Sequence, residues 1–383
     1  MSVTTPRGFR SSGVAAGLKS TGRPDVAVVV NDGPDHHAAA VFTANRVAAA
    51  PVYWSRQVIA DGRADAVVLN SGGANACTGA PGFQDTHATA EHAAEQLGVS
   101  ATDILVCSTG LIGERLPMEQ LLTGVRSAAE TLADDGGQAA AEAIMTTDSV
   151  AKTASFTDGR YAIGGMAKGA GMLAPGLATM LAVLTTDAVL PAEDLDRYLR
   201  EAVRTTFNRT DSDGCMSTND TVILMSSGAS GAVPEAGAFQ EGLRSVCADL
   251  ARQLIGDAEG AGHDIAIEVV HAASEEDAEE VGRAVARSNL FKTAIFGRDP
   301  NWGRVLSAVG TTQAAFEPDR LDVAINGVQI CRGGGIGDPR DLVDLAAREV
   351  HVLIDLHAGQ DAATIWTNDL THDYVHENSA YSS

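Results

Sequence analysis

Positive charge is scarce in this sequence. Lysine and arginine together number 27 against 50 aspartates and glutamates, a formal net charge of −23, and no run of basic residues occurs anywhere. Such a chain does not attract nucleic acid or an anionic membrane non-specifically, so an anionic ligand has to be held by a few local donors or a helix N-terminus. Aromatic residues are thin at 4 %, which leaves a core drawn mainly from Ala, Val, Leu and Ile. No apolar run reaches the about 18 residues of a membrane span. Met1 to Gly13 lacks the apolar segment of a signal peptide, so a cytoplasmic setting is expected. The five cysteines, Cys77, Cys107, Cys215, Cys247 and Cys331, are dispersed and form no Cys-x-x-Cys pair, which predicts reduced thiols. The ten histidines show no ligand spacing such as His-Glu-x-x-His, and neither a metal nor a cofactor is expected.

What the chain does have is a mixture of short apolar runs and amphipathic stretches, with 40 glycines at the joints. Strands are predicted at Val26–Val30, Ala66–Leu69, Ile104–Cys107, Met180–Leu184, Val222–Met225, Ile265–Val270, Leu321–Ile325 and Val350–Ile354. Helices are predicted at Ala88–Leu97, Met118–Leu132, Gln138–Met145, Leu195–Val203, Phe239–Leu254, Glu276–Arg287 and Asp341–Arg348. The alternation argues α/β or α+β with substantial sheet. Ser226–Gly237, rich in Ser, Gly and Ala, reads as a hairpin loop, and Cys331–Gly337 as a flexible turn.

The most informative segment is Lys168-Gly-Ala-Gly-Met-Leu-Ala-Pro-Gly-Leu-Ala-Thr-Met-Leu181. It sets one hydroxyl, Thr179, directly after the small Ala178, behind a Gly-x-Gly turn and Pro175, and ahead of an apolar run. Small neighbours let the backbone take a strained turn. Attack by the Thr179 hydroxyl on the Ala178 carbonyl, followed by hydrolysis of the ester, leaves Thr179 as a new N-terminus. Its α-amine, with an ordinary pKa of about 7.7–8.0, then serves as general base. An ordinary strand start explains Ala-Thr alone equally well; the lysine, glycines and proline together do not suit a strand lead-in.

Other segments read two ways. Cys107-Ser-Thr-Gly-Leu-Ile-Gly113 follows a strand and is either an oxyanion or anion nest or an ordinary strand-to-loop turn. The loop Asn70–Gly79 binds a ligand or caps a helix. Ile144-Met-Thr-Thr-Asp148 offers hydroxyls and a carboxylate for binding or capping. Glu259, among small residues in Gly256–Ala261, faces backbone, a substrate amine or solvent. Asp299-Pro-Asn-Trp-Gly-Arg304 holds a cation that pairs with a carboxylate or stacks on Trp302. His36-His37 reads as solvent-facing. Gly17-Leu-Lys-Ser20 lacks the glycine spacing of a phosphate loop.

Taken in order, these motifs resemble the ornithine acetyltransferase family, also called the arginine biosynthesis bifunctional protein or glutamate N-acetyltransferase. The matching residues run from Ala16-Gly-Leu-Lys19 through the Asn70 loop, Ser108-Thr-Gly110, Met145–Asp148, Lys168–Leu181, Ser217-Thr-Asn-Asp-Thr221, Gly256–Ala261 and Asp299–Arg304 to Asn378-Ser379. The resemblance implies a layered αββα sandwich, similar to N-terminal-nucleophile hydrolases but differently connected. It implies self-cleavage into an α fragment, 1–178, and a β fragment, 179–383, which stay interleaved and assemble as a tetramer of two α and two β. The implied reaction moves acetyl from N-acetylornithine to glutamate by a ping-pong route, with acetyl-CoA a possible further donor. By position, Thr179 resembles the acetylated nucleophile and Ala178–Thr179 the cleavage site. Thr109 and Gly110 resemble the oxyanion hole, and Thr147, Lys168, Glu259, Asn378 and Ser383 resemble substrate-binding positions. Gly73, Gly262-His263 and Ser383 depart from the family's usual residues; the last keeps a hydroxyl. Two other readings use the same residues: a self-cleaving amidase or aminopeptidase on this scaffold, and an uncleaved ligand-binding or assembly protein.

Overall fold

The computed structural model describes residues 2–174 and 180–380. Ala178, Thr179 and Ser383 therefore lie outside the described residues. In chain order the elements begin with β1 (Phe9–Val14), β2 (Val26–Asn31), β3 (His37–Phe42), α1 (Ala50–Val58), β4 (Ala66–Asn70), α2 (Gly79–Leu97), β5 (Ile104–Ser108) and α3 (Met118–Glu130). Next come α4 (Gly137–Ala143), β6 (Lys152–Thr157), β7 (Ala162–Lys168), β8 (Leu181–Thr186), α5 (Ala192–Thr205), β9 (Thr221–Ser226) and α6 (Ala236–Gly256). The remainder comprises β10 (Asp264–Ala272), α7 (Glu275–Ala286), α8 (Asn289–Phe296), α9 (Trp302–Val309), β11 (Asp322–Ile325), β12 (Val328–Arg332), β13 (Gly335–Ile336), β14 (Glu349–Asp355), β15 (Asp361–Asn368) and α10 (His372–Ala380).

Two sheets lie face to face. The first has the order β1-β2-β4-β5 and the second β3-β9-β8-β7-β6. Strands β2, β4, β5, β8 and β9 read as largely apolar runs because both faces are covered. In β2, Ala27 and Val29 face the second sheet while Val26, Val28 and Val30 face α2 and α3. In β8, Leu181 and Val183 face the first sheet while Ala182 and Leu184 face α5 and α6. The layers are therefore α2/α3, sheet, sheet, α5/α6, the αββα sandwich expected. A third sheet, β13-β12-β11-β14-β10-β15, has its own core with α7, α8 and α9.

All eight predicted strands form, at times offset by a residue or two. Several that were not predicted carry small or polar residues that hide the apolar pattern, such as β1 (FRSSGV) and β6 (KTASFT). Asp341–Arg348 is not a helix. Only a 3₁₀ turn at Arg340–Leu342 forms, and the extended chain beyond it alternates, so that Val343 and Leu345 both reach the core of the third sheet. Ser226–Gly237 joins β9 to α6 and is not a hairpin. Cys331–Gly337 is a tight hairpin between β12 and β13, turned by Gly333 and Gly334 at φ of 52° and 69°. His36 is only partly exposed and pairs with Asp65 at 2.8 Å, and the half-buried His37 ring meets the Leu190 carbonyl at 2.9 Å.

The sandwich places one set of strand ends together. β4 and β5 are parallel, as are β8 and β9, and β7 runs antiparallel to β8 so that Lys168 sits beside Leu181. The C-terminal ends of β4, β5 and β7 and the starts of β8 and β9 thus meet at one edge of the interface between the sheets. Leu69, at 0 % exposure, packs in that interface. Leu69→Ala is expected to lower unfolding free energy by about 2–5 kcal/mol, read from the denaturant midpoint at unchanged slope.

Candidate active site

A cavity of about 120 Å³ opens at this edge, lined by Thr109, Gly110, Thr147, Lys168, Glu259 and Asn378, together with Ala74, Ile112, Thr146, Gly171, Met172 and Ser217–Asn219. Every described residue expected at a site from the sequence is in this one lining. The cavity is smaller than the about 300–1,000 Å³ of drug-sized ligand pockets, which suits a small substrate.

The loops after β4 and β5 form one wall. Gly110 has φ of 131°, and a Cβ there would stand 2.8 Å from the Gly73 Cα, so the two backbones touch only as glycines permit. Thr109 donates its amide to the Asn70 carbonyl at 3.0 Å. Its Oγ1 accepts from Lys168 Nζ at 3.1 Å, which leaves the hydroxyl proton to point elsewhere. Asn219, buried before β9, donates to the Ala74 and Ser108 carbonyls at 2.6 and 2.8 Å and holds the two loops together. The rest of the Asn70 loop caps and packs: Asn70 bonds the Ser108 hydroxyl, and Asn75 bonds Gly82 and Thr86 in the first turns of α2.

A buried ionic cluster backs the opposite wall. Asp148 Oδ1 accepts from Lys152 Nζ at 2.7 Å and from the Gly169 amide at 2.6 Å, and its Oδ2 accepts from the Thr146 amide at 2.9 Å. Lys152 also meets Asp257 at 2.5 Å. Burial alone would raise the Asp148 carboxyl, but Lys168, Lys152 and the Gly169 amide outweigh it and hold the group at about 2. Burial pushes the Lys168 ammonium down, against the pull of Asp148.

Glu259 arrives from the loop after α6, its amide bonded to the Ala170 carbonyl at 2.9 Å. A Cβ on Gly171 would stand 2.5 Å from the Glu259 carboxylate, so glycine is what lets the acid approach. Asn378 of α10 donates to Glu259 Oε2 at 3.0 Å. α10 is fixed to the same loop through Thr371 Oγ1, which donates to the Gly260 carbonyl at 2.6 Å. The departure at Gly262-His263 has a structural role. Asp369 accepts both backbone amides and the His263 ring at 2.7 Å, away from the cavity.

The segment of the expected cleavage site is anchored on both sides. Leu173 bridges to Met216 before it. After it, the Met180 amide donates to Asp220 Oδ1 at 3.0 Å. Asp220 is wholly buried, and burial pushes its carboxyl well above the ordinary carboxylate range. Asn219, Asp220, Lys152 and Asp257 were not identified as site residues from the sequence. Asn219 and Asp220 lie in the Ser217–Thr221 segment and Asp257 in Gly256–Ala261, but Lys152 looks like an ordinary surface charge in sequence, and only tertiary burial distinguishes it and Asp257.

The expectation for Arg304 is not met, whereas that for the cysteines is. Arg304 neither stacks on Trp302 nor meets a carboxylate among the described residues; it donates to the Leu290 carbonyl at 2.5 Å, and Asn301 caps α9. The five cysteines are free. Burial raises the Cys107 thiol to about 12, which makes it a poor nucleophile beside the cavity. A second, larger cavity of about 820 Å³ shares Gly110, Thr146 and Thr147 with the first and carries Lys19 and Arg23. Burial brings Lys19 down to about 8. Among the described residues no helix is long and apolar enough to cross a membrane.

Because Asp148 titrates at about 2 in the fold against an ordinary 3.8, its ionised form stabilises the fold above that ordinary value. That contribution disappears as pH falls through the folded value. Asp148→Asn, which leaves Lys152 with Asp257 alone and removes the charge that draws Lys168, is expected to cost about 3–5 kcal/mol at pH 7 and to lose stability less steeply than wild type between pH 4 and pH 2, as read by urea unfolding across pH.

Comparison with known proteins gives a consistent family. The ArgJ family profile matches residues 10–383. The arginine biosynthesis bifunctional protein ArgJ of Streptomyces coelicolor is 65 % identical over 383 residues, covering 100 % of both chains. That of Mycobacterium leprae is 53 % identical over 391 residues, covering 100 % of this chain and 96 % of its own. A crystal structure of ornithine acetyltransferase from Mycobacterium tuberculosis, complexed with ornithine, is 53 % identical and covers 47 % of this chain and 96 % of its own, with a TM-score of 0.45.

Proposed function

The chain belongs to the ArgJ family, and on that premise we propose that it is a self-cleaving acetyltransferase of arginine biosynthesis, moving acetyl from N-acetylornithine to glutamate. The observation that supports this reading most is the convergence of Thr109, Gly110, Thr147, Lys168, Glu259 and Asn378 on one small cavity, next to the two anchors that flank Thr179.

In the proposed cleavage the Thr179 hydroxyl attacks the Ala178 carbonyl and the amide C–N bond breaks. That break frees the Thr179 α-amine, and hydrolysis of the resulting ester releases the Thr179 hydroxyl and the Ala178 carboxylate. In transfer that amine takes the hydroxyl proton as the oxygen attacks the acetyl carbonyl, and returns it to the departing ornithine nitrogen. The Thr109 amide is already spent on Asn70, so this pair offers the Thr109 hydroxyl and the Gly110 amide to the oxyanion. In this reading Lys168 holds the substrate α-carboxylate and Glu259 meets the ornithine ammonium. The amine of glutamate then attacks the acetyl-threonine ester, and Thr179 is released. Ser383 and Asn378 are assigned to the same substrate. Acetyl-CoA as a second donor fits the adjoining 820 Å³ cavity, whose Lys19 and Arg23 suit a phosphorylated ligand. We assign the fragments 1–178 and 179–383 to one catalytic unit, paired as two α and two β, in the cytoplasm.

The decisive assay incubates pure protein with N-acetylornithine, with and without glutamate. N-acetylglutamate formed only with glutamate present, and little free acetate without it, is the expected result. Acetate released regardless of glutamate would mark a hydrolase on the same scaffold. Denaturing mass measurement should show two fragments cut before Thr179; an intact chain in active protein removes the nucleophile assignment. Thr179→Ala should abolish both cleavage and transfer, while Thr179→Ser keeps a hydroxyl and part of each. Thr109→Ala should lower kcat by about 10²–10³-fold with KM little changed, as loss of an oxyanion donor does.

A further inference from the structure

The third sheet carries a cluster that the reaction does not use. Asp355 at the end of β14 is in register with Asp322 at the start of β11, so two carboxylates lie side by side across a strand pair. Like charges so placed repel unless something neutralises them. His271, near the end of β10, and His357, two residues beyond Asp355, supply two imidazoles at the same spot. The ligand atoms of His271, Asp355 and His357 all lie within 4.8 Å of one another.

The same contacts that pair these groups also leave room for a metal ion in place of the shared protons. His357 Nε2 meets Asp322 Oδ2 at 3.1 Å. A proton donated there leaves Nδ1 with its lone pair, yet Nδ1 stands 3.4 Å from Asp355 Oδ1. That pairing needs a positive charge, which a proton on Nδ1 or a metal ion held by both groups supplies. A carboxylate that accepts from the far ring nitrogen is the usual outer support of a metal-bound histidine. His271 Nδ1 points at the other oxygen of Asp355, 2.8 Å away. Both histidines hold left-handed backbones, φ of 50° and 48°. This conformation is uncommon outside glycine and persists where the surroundings enforce it. The enforcement is visible: the Ala358 and Gly359 amides both donate to the His271 carbonyl, at 2.7 and 2.8 Å, and tie the two turns together. The side chains remain reachable from solvent, with His271 52 % and His357 34 % exposed.

We propose that His271, Asp355 and His357 bind one divalent transition-metal ion, with Asp322 orienting His357 and solvent completing the coordination. Two nitrogens and a carboxylate suit Zn²⁺ or Ni²⁺; Mg²⁺ and Ca²⁺ prefer oxygen alone. Bound metal would neutralise the facing carboxylates and tie the ends of β10, β11 and β14. The strong net negative charge of the chain favours cation capture.

The test titrates chelator-stripped, full-length protein with Zn²⁺ by calorimetry, in competition with a chromophoric chelator. One saturable equivalent is expected, undisturbed by millimolar Mg²⁺. His271→Ala and His357→Ala should each weaken it at least about tenfold, and Asp322→Asn by about 10–100-fold without removing a ligand. Absence of a saturable equivalent, or affinity unchanged in the doubly substituted protein, overturns the proposal. A readout that needs no variant is the electron paramagnetic resonance of wild type with one equivalent of Cu²⁺. Coupling to two imidazole nitrogens supports the site, and its absence sinks it.

Discussion

The charge cluster around Asp148 is the contact on which the cavity depends. Its one carboxylate gathers the Thr146 amide, the Gly169 amide and Lys152, and Lys152 extends the link to Asp257. Each partner is adjacent to a cavity residue: Thr146 to Thr147, Gly169 to Lys168, and Asp257 to the Glu259 turn. Three loops far apart in sequence are therefore fixed relative to one another by one buried anion. Isolated buried charges are costly, and mutual pairing with further hydrogen bonds is what makes such a cluster tolerable. The pairing also explains how a chain with so few cations keeps Lys152 and Lys168 in its interior.

The facing wall is held by neutral groups. Asn219 bridges two backbone carbonyls, and Gly110 lies against Gly73 at a distance no side chain allows. This close approach puts the Thr109 hydroxyl within reach of Lys168, so the neutral and the charged walls meet through that hydrogen bond. The sandwich supports both walls, because the ends of parallel β4 and β5 and the start of β8 and β9 fall at the same edge.

The third sheet contributes differently. Its core is separate from that of the sandwich, yet the loop holding Glu259 leads into β10 and the helix carrying Asn378 follows β15. Asp369, just beyond β15, clasps the Gly262-His263 amides. The sheet thus acts as a frame for one wall of the cavity, and its far end brings together histidines 86 positions apart.

Strands buried on both faces were legible in the sequence because their apolar runs are unbroken; β2, β4, β5, β8 and β9 are of this kind. The residues of the cavity were legible through motif resemblance, since Thr109, Gly110, Thr147, Lys168, Glu259 and Asn378 sit in short conspicuous segments. What the sequence did not disclose were features defined by partners remote along the chain. Lys152 acquires meaning only when buried between Asp148 and Asp257, and His271 and His357 only when β10 and β14 pair in parallel. Asp341–Arg348 has helix-like composition but runs extended, because Val343 and Leu345 gain more by burial in the third sheet than a short helix gains from its own hydrogen bonds. Local pattern settles which face of a segment is apolar; tertiary packing decides which charges lose their water and therefore must find one another.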